Sequence, residues 1–325
     1  MNDKSILQLL KRVLIWGCGV LLIMFALIQA YAFVPVLESP VDDYLARKGK
    51  LASITTTKAW SEKNSQYDEI ELVSSSGLRV LMTIRRPLAQ QHALPVVLLL
   101  GGLGTGRDAC RVIPTIRHAV CVSLSYPYYG ADDIEGIGVL TNLREVQQAV
   151  IDTPPAMLLA LDYVLTQDYT DAQQVELLGV SFGAYFISIP AVLDQRVTRT
   201  WIVHGGAEPI KVMSHNYIKN SENVFLKKLF VKWIGYAIGS QYVDPEKWVG
   251  KISPRPVILI NAENDKTFPE SSVKALHNTT RQPKEIIWTK GVHIAPSRTD
   301  IVEQLSNIVL NRIEGDYLKR RSNHR

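Results

Sequence analysis

Cysteine is scarce in this chain: three in 325 residues, at Cys18, Cys110 and Cys121. That excludes a disulfide scaffold. Cys18 falls in an apolar run, which leaves Cys110 and Cys121 as either one disulfide or two buried thiols. Low-complexity tracts and internal repeats are absent and 21% of residues are charged, which argues against a disordered or fibrous protein. His, Cys and carboxylate residues nowhere cluster with metal-ligand spacing, so neither a metal nor an organic cofactor is expected. Net positive charge is missing from the middle of the chain, where basic and acidic residues balance. The formal net charge of +5 resides wholly in residues 1–12 and 312–325, so no basic nucleic-acid-binding face is expected.

Apolar residues are as localised as charge. Val13 to Val34 runs 22 residues without a charge, and as a helix it spans roughly 33 Å, enough for a hydrocarbon core. A buried core helix would show a polar stripe, and this segment shows none. A cleavable signal peptide competes, because Ala30-Tyr31-Ala32 resembles a cleavage site. The run exceeds the usual h-region of about 7–15 residues, which favours an uncleaved anchor over residues 13–36. A lipoprotein reading at Cys18 has too short an apolar lead. Lys11 and Arg12 abut one end and Glu38, Asp42 and Asp43 the other. We therefore expect residues 1–12 in the cytoplasm and the main domain on the extracytoplasmic side.

Residues 37–66 read as a linker, 67–313 as one domain and 314–325 as a basic tail, with Lys319–Arg325 expected to touch anionic lipid. Within the domain, strand-length runs alternate with helix-length segments. Asp68–Val73 and Leu78–Arg85 read as a hairpin, followed by strands Pro95–Leu100, Ala119–Ser125, Val175–Leu178, Thr200–Val203, Val257–Asn261 and Lys284–Trp288. Helices are expected over Asp108–His118, Thr141–Gln167 with a break at Pro154-Pro155, Phe182–Leu193, Glu270–His277 and Ser297–Ile313. This is an α/β architecture with a mostly parallel sheet. Residues 207–249 interrupt the alternation as a helical insertion.

The sharpest motif is Gly179-Val180-Ser181-Phe182-Gly183, a G-x-S-x-G. Alone it is weak, and an ordinary strand-to-helix turn is the bland reading. Here it follows a strand and opens a helix, the context a nucleophile elbow requires. The chain order should then be Ser, acid, His. His92 and His118 come too early and His324 sits in the tail. Among His204, His215, His277 and His293, only His293 lies in the turn directly after the last strand, so His293 is the expected base. Asp265 leaves the strand Val257–Asn261 where a carboxylate can fix the imidazole tautomer. Glu263 is the runner-up and Glu208 a distant third. The backbone N–H of Phe182 supplies one expected oxyanion donor. The second is expected from the glycine-rich loop Gly101–Arg107, with Leu103 as donor and Arg107 paired to Asp108. Gly104-Thr105-Gly106-Arg107-Asp108-Ala109 fits a G-x-G-x-x-A pattern, but no acidic residue ends the next strand to hold a ribose. A P-loop would need Gly-Lys-Ser/Thr, which is absent.

The elbow GVSFGAY, the acid loop Asn261–Pro269, the turn Gly291-Val292-His293 and Ser125–Gly130 together resemble the α/β-hydrolase superfamily over roughly Asp68 to Ile313. There is further similarity to prolyl-oligopeptidase-like and dienelactone-hydrolase-like members. The resemblance implies an about eight-stranded, mostly parallel sheet with its catalytic groups at the carboxyl ends of strands, and a cap at about residues 207–249. Many members begin the oxyanion loop with His-Gly, where this chain has Gly101-Gly102. Tyr217, Phe225, Phe230, Trp233, Tyr236 and Tyr242 of the cap are candidates to line an acyl pocket or to fix the cap to the body. The implied activity is that of a membrane-anchored serine esterase taking a small or lipid-like acyl substrate. A peptidase, amidase or thioesterase would use the same machinery, and a non-catalytic binding protein is the reading from another class.

Overall fold

The apolar run folds as one helix, α1 (Asp3–Ala32), in the computed structural model, which describes residues 3–32, 37–89, 92–130, 138–218 and 224–323. Its segment Lys11–Ala30 is long and apolar enough to cross a membrane and is uncovered by the rest of the protein. Residues 33–36 at the end of the expected anchor lie outside the described residues, as do His324 and Arg325 of the expected tail.

The expected linker is folded. Residues 37–66 hold α2 (Pro40–Lys48), β1 (Leu51–Glu62) and the start of β2 (Ser65–Ser74). Tyr44 of α2 is fully buried. The twelve-residue β1 is exposed along nearly its whole length, so it lacks the apolar alternation by which strands are recognised. Pairing with β2 holds it instead, with Trp60 stacked on Tyr67 at 5.0 Å.

The chain continues through β3 (Arg79–Pro87), β4 (Leu94–Leu100), a four-residue α3 (Ala109–Val112) and β5 (Val120–Leu124). The helix expected to reach His118 ends early because Ile113 precedes Pro114 and is extended, as residues before proline prefer. Then follow α4 (Gly138–Thr141), α5 (Leu143–Val164), β6 (Thr170–Val180), α6 (Ser188–Leu193) and β7 (Arg199–Val203). Pro154 and Pro155 do not break α5. Both are buried, as is nearly all of α5 from Ala149 to Leu161, and this burial outweighs the two missing ladder bonds. Arg47 and Lys48 of α2 pair with Asp152 and Asp162 of α5.

The expected insertion is helical: α7 (Pro209–Ile218), α8 (Val224–Ala237) and α9 (Pro245–Trp248). After it come β8 (Val257–Ala262), α10 (Glu270–Thr279), β9 (Lys284–Thr289) and α11 (Thr299–Asn323). The segment expected as a tail is thus the last part of α11. Tyr317 sinks one face of it into the core, and Arg320 bonds to Gln174 and Asp171.

Among the described residues nine strands form one sheet in the order β1-β2-β3-β5-β4-β6-β7-β8-β9, one strand more than expected. The first three and the β3–β5 pair are antiparallel, and from β5 to β9 every pair is parallel. Strand β4 is buried at every position and splits by the two-residue period. Val96, Leu98 and Leu100 join the core shared with α2, α5 and α10, while Val97 and Leu99 join the core under α3 and α11. Cys110 and Cys121 are free and buried, and burial pushes the Cys110 thiol up to about 11.

Glu176, almost fully buried on β6, joins three elements. It accepts from Arg199 and from the indole N–H of Trp201, both on β7, and Arg199 reaches on to Asp316 of α11. Glu176→Ala leaves the buried Trp201 indole N–H without its acceptor and the Arg199 guanidinium with Asp316 alone. We expect it to cost roughly 3–5 kcal/mol, read as a lower denaturant midpoint in detergent.

Candidate active site

The carboxyl ends of the parallel strands meet along one edge of the sheet, and the chemistry-bearing residues gather there. Ser181 leaves β6 with φ +55°, a left-handed conformation that side chains rarely adopt. The flanking glycines are demanded by space. A Cβ on Gly183 would lie 2.0 Å from the Leu100 carbonyl oxygen, and one on Gly179 would lie 2.9 Å from the Gly183 carbonyl and from Ile187. A short 3-10 turn, Ser181–Tyr185, then leads towards α6. The sharp turn presents the Ser181 hydroxyl beyond the end of the strand.

Two backbone bonds bring the other partners together. Glu263 N–H donates to the Thr289 carbonyl and Asn264 N–H to the Gly291 carbonyl, so the exits of β8 and β9 are zipped side by side. Asp265 and His293 thereby face each other. His293 Nδ1 lies 2.7 Å from Asp265 Oδ2, and its Nε2 lies 2.7 Å from Ser181 Oγ. Asp265 Oδ1 accepts from the N–H groups of Thr267, at 2.8 Å, and Phe268, at 3.3 Å. Burial opposes the Asp265 charge. The bond to His293, its charge and the two N–H donors outweigh that and hold the carboxyl below the usual carboxylate range.

The alternatives lie elsewhere. Glu263 is exposed, and Glu208 pairs with Lys211. His215 sits on the surface beside the Lys266 carbonyl, and His277 is bonded to Asn261. Arg107 pairs with Glu69 rather than with Asp108, which is taken by Arg111. Gly102 packs directly on Ser181, since a Cβ there would sit 3.5 Å from Ser181 Cβ and 3.7 Å from its Oγ. The loop carrying Leu103 thus passes over Ser181, with the Leu103 side chain exposed. Tyr126 Oη donates to the Gly101 carbonyl and steadies that loop, and its ring packs on Phe182.

His204, set aside as the base because it does not follow the last strand, nevertheless lies beside the site. It ends β7 with φ +49°, and its Nδ1 accepts from the Ile294 N–H, directly beside His293. The rings of His204 and His293 lie 5.7 Å apart. Burial, reinforced by His293, pushes the His204 imidazole down to about 4. Ligand atoms of His204, Asp265 and His293 fall within 4.8 Å of one another. Both His293 nitrogens and His204 Nδ1 are already committed to hydrogen bonds, which suits proton transfer better than metal ligation.

Ser181 and His293 border a cavity of about 760 Å³ lined overwhelmingly by carbon. Residues from both faces of the sheet line it, including Val150 and Val212 on one side and Leu99 and Leu305 on the other. Its aromatic lining comes from Tyr126, Tyr128, Phe182, Tyr185, Phe186 and Phe268. The cap aromatics singled out from the sequence do not border it. Phe225 is 72% exposed, and Tyr242 packs beside α2.

No family model matches the sequence, and no curated protein matches it. Solved structures do. Acetyl xylan esterase from Paenibacillus sp. R4 superposes with TM-score 0.59 over 86% of this chain and 98% of its own, at 17% identity. Acetyl xylan esterase 1 from Thermoanaerobacterium sp. JW/SL YS485 gives 0.55 over 86% and 96%, at 14% identity. An α/β hydrolase from Penicillium sp. sh18 gives 0.54 over 78% and 98%, at 16% identity. The chain has the α/β-hydrolase fold. In this α/β-hydrolase sheet Ser181, Asp265 and His293 follow β6, β8 and β9, the order expected from the sequence.

Two outcomes follow from this geometry. Gly183→Ala drives a methyl group into the Leu100 carbonyl, so it should displace Ser181, lower the melting temperature and abolish reaction with a serine-directed probe. His204 binds fewer protons folded than unfolded between about pH 4 and 6.5. Stability should therefore fall as pH drops through that window, by up to about 3 kcal/mol, and level off below it. Denaturant titrations of His204→Gln against the native protein across pH 4–7 should show a flatter dependence for the variant.

Proposed function

We propose that the protein is a membrane-anchored serine hydrolase that cleaves a carboxylic ester through an acyl-enzyme. One observation carries this reading: the unbroken run of 2.7 Å contacts from Ser181 through His293 to Asp265 at the edge of an apolar cavity. The ionised Asp265 holds the Nδ1–H tautomer of His293, leaving Nε2 to accept the Ser181 proton. As Oγ attacks the ester carbonyl, its proton passes to Nε2, and the oxyanion that forms is held by the N–H groups of Phe182 and Leu103. The close approach at Gly102 leaves room for that oxygen. Collapse expels the alcohol, which takes the proton from Nε2. A water molecule then attacks the acyl-enzyme, gives its proton to Nε2, and collapse returns the proton to Ser181 as the acid leaves.

Neighbours of the same fold include proteins named as acetyl xylan esterases, which supports ester chemistry here. The carbon-rich lining supports an aliphatic acyl group over an acetylated sugar, because sugars need several placed polar partners. In this reading α1 is an uncleaved anchor, with residues 1–12 cytoplasmic and the hydrolase domain on the extracytoplasmic side.

A fluorophosphonate probe should label the detergent-solubilised protein and leave Ser181→Ala unlabelled. Equal labelling of the two, or none of either, rejects a serine hydrolase in favour of a binding protein. Asp265→Asn should lower kcat on p-nitrophenyl esters roughly ten-thousand-fold with little change in KM. A panel of esters, thioesters and peptide amides, compared by kcat/KM, tests the leaving group, and faster amide than ester cleavage would replace the esterase assignment with a peptidase.

A further inference from the structure

Helix α8 buries one face and leaves a second apolar face uncovered. Val231, Ile234 and Gly235 pack inward, and a Cβ on Gly235 would strike Ile210 of α7 at 2.7 Å. On the outside Phe225, Leu226 and Leu229 are 72%, 66% and 51% exposed, and Tyr236 is 40% exposed. Positions 225, 229, 233 and 236 advance by four, four and three residues, a single stripe along a helix. Lys227, Lys228 and Lys232 stand among these residues, all exposed.

The stripe does not end in water. Trp233 donates its indole N–H to Gln29 of α1 at 3.0 Å. The Gln147 amide donates to the carbonyls of both Ala32 and Ala237, the last residues of α1 and α8. Ala32, Ala237 and Leu143 share a small buried cluster there. One side chain thus ties the end of the apolar helix that can cross a membrane to the end of the helix with the bare apolar stripe.

We propose that α8 is a second membrane element, lying with its Phe225–Leu226–Leu229–Tyr236 stripe in the interface of the bilayer that α1 crosses. The inference rests on the reading of α1 as an anchor. Phe and Leu on one face with Lys beside them is the pattern of an interfacial helix, in which the ammonium groups reach anionic headgroups while the stripe enters the acyl boundary. Continuity with α1 selects the bilayer over a soluble partner, because any surface reaching as far as Trp233 lies against α1. Helix α7, packed on the inner side of α8, contributes Val212 and Met213 to the cavity. The cavity roof therefore faces the phase in which long-chain esters reside.

The test uses full-length chain carrying Cys18→Ser, reconstituted in phosphatidylcholine vesicles containing phosphatidylglycerol. Spin labels are placed singly at Phe225→Cys, Leu229→Cys and, as an aqueous reference on α11, Glu303→Cys. Collision with oxygen and with a nickel chelate gives the depth of each label, and retention after an alkaline wash reports α1. We expect labels 225 and 229 about 5–10 Å below the phosphates and label 303 in water. Chain retained with labels 225 and 229 in water overturns the role of α8 and leaves the anchor standing. Chain lost in the wash with those labels still in lipid supports α8 and rejects the anchor. Chain lost with all labels in water overturns both. Spin–spin broadening at 229 that disappears on dilution with unlabelled chain means that a second copy covers the stripe, which also overturns the proposal.

Discussion

The site depends on a contact with no side chain on one partner: the backbone at Gly183 pressed against the Leu100 carbonyl. That approach sets the end of β6 against the end of its neighbour β4, whose register pairs Leu100 with Gly179. It lets the chain reverse at Ser181 despite the unfavourable φ and brings the Gly101–Gly106 loop over the hydroxyl. Strain at one residue is held by the packing of two strands that are buried from Leu94 to Leu100 and from Gln174 to Gly179. The placement of the Ser181 hydroxyl and of the Gly101–Gly106 loop over it therefore follows from sheet register, and a shift of that register would lose both.

The His293 side of the site is built differently, from polar bonds between loops. Neither Asp265 nor His293 lies in a strand, and the β8 and β9 exit loops meet through two backbone bonds and the Asp265–His293 contact. The carboxylate can stay charged at its depth because two N–H groups and an imidazole face it, together exceeding the desolvation cost. His204 completes this half. It is neutral at ordinary pH, so its Nδ1 can accept from Ile294 and fix the turn without placing a positive charge beside His293.

Residues whose placement is written in local chain geometry are legible in the sequence. Ser181 was found through glycine spacing, and Asp265 and His293 through their positions after strands. The parallel strands from β4 to β8 were legible because strands buried on both faces read as unbroken aliphatic runs. What escaped has its cause at long range. Strand β1 is held by pairing with a neighbour rather than by its own pattern, α5 keeps two prolines because burial on its flank outweighs propensity, and the end of α11 is drawn in by Tyr317. The sequence leaves the cap aromatics open between pocket and packing for a related reason. Aromatic content marks surface that must be covered, and it does not say by what.

One proline helps to shape a wall of the cavity. Pro114 forces Ile113 out of helical conformation, so α3 stops after four residues and covers little of the sheet beneath it. Val112 and Ile113 at its end and Leu305 of α11 then become cavity walls, beside Val97 and Leu99 of β4. A longer helix here would bury that sheet face by packing and confine the space beside Ser181 to the α7 side. With α3 short, the space continues past the strand ends onto the other face. An extended aliphatic chain fits such a shape better than a compact polar group, since it gains by contact along its whole length and needs no placed donors. In the proposed reading, chain length would be selected by how far α3 and α11 stand apart, while Ser181, His293 and Asp265 would serve an ester, thioester or amide alike.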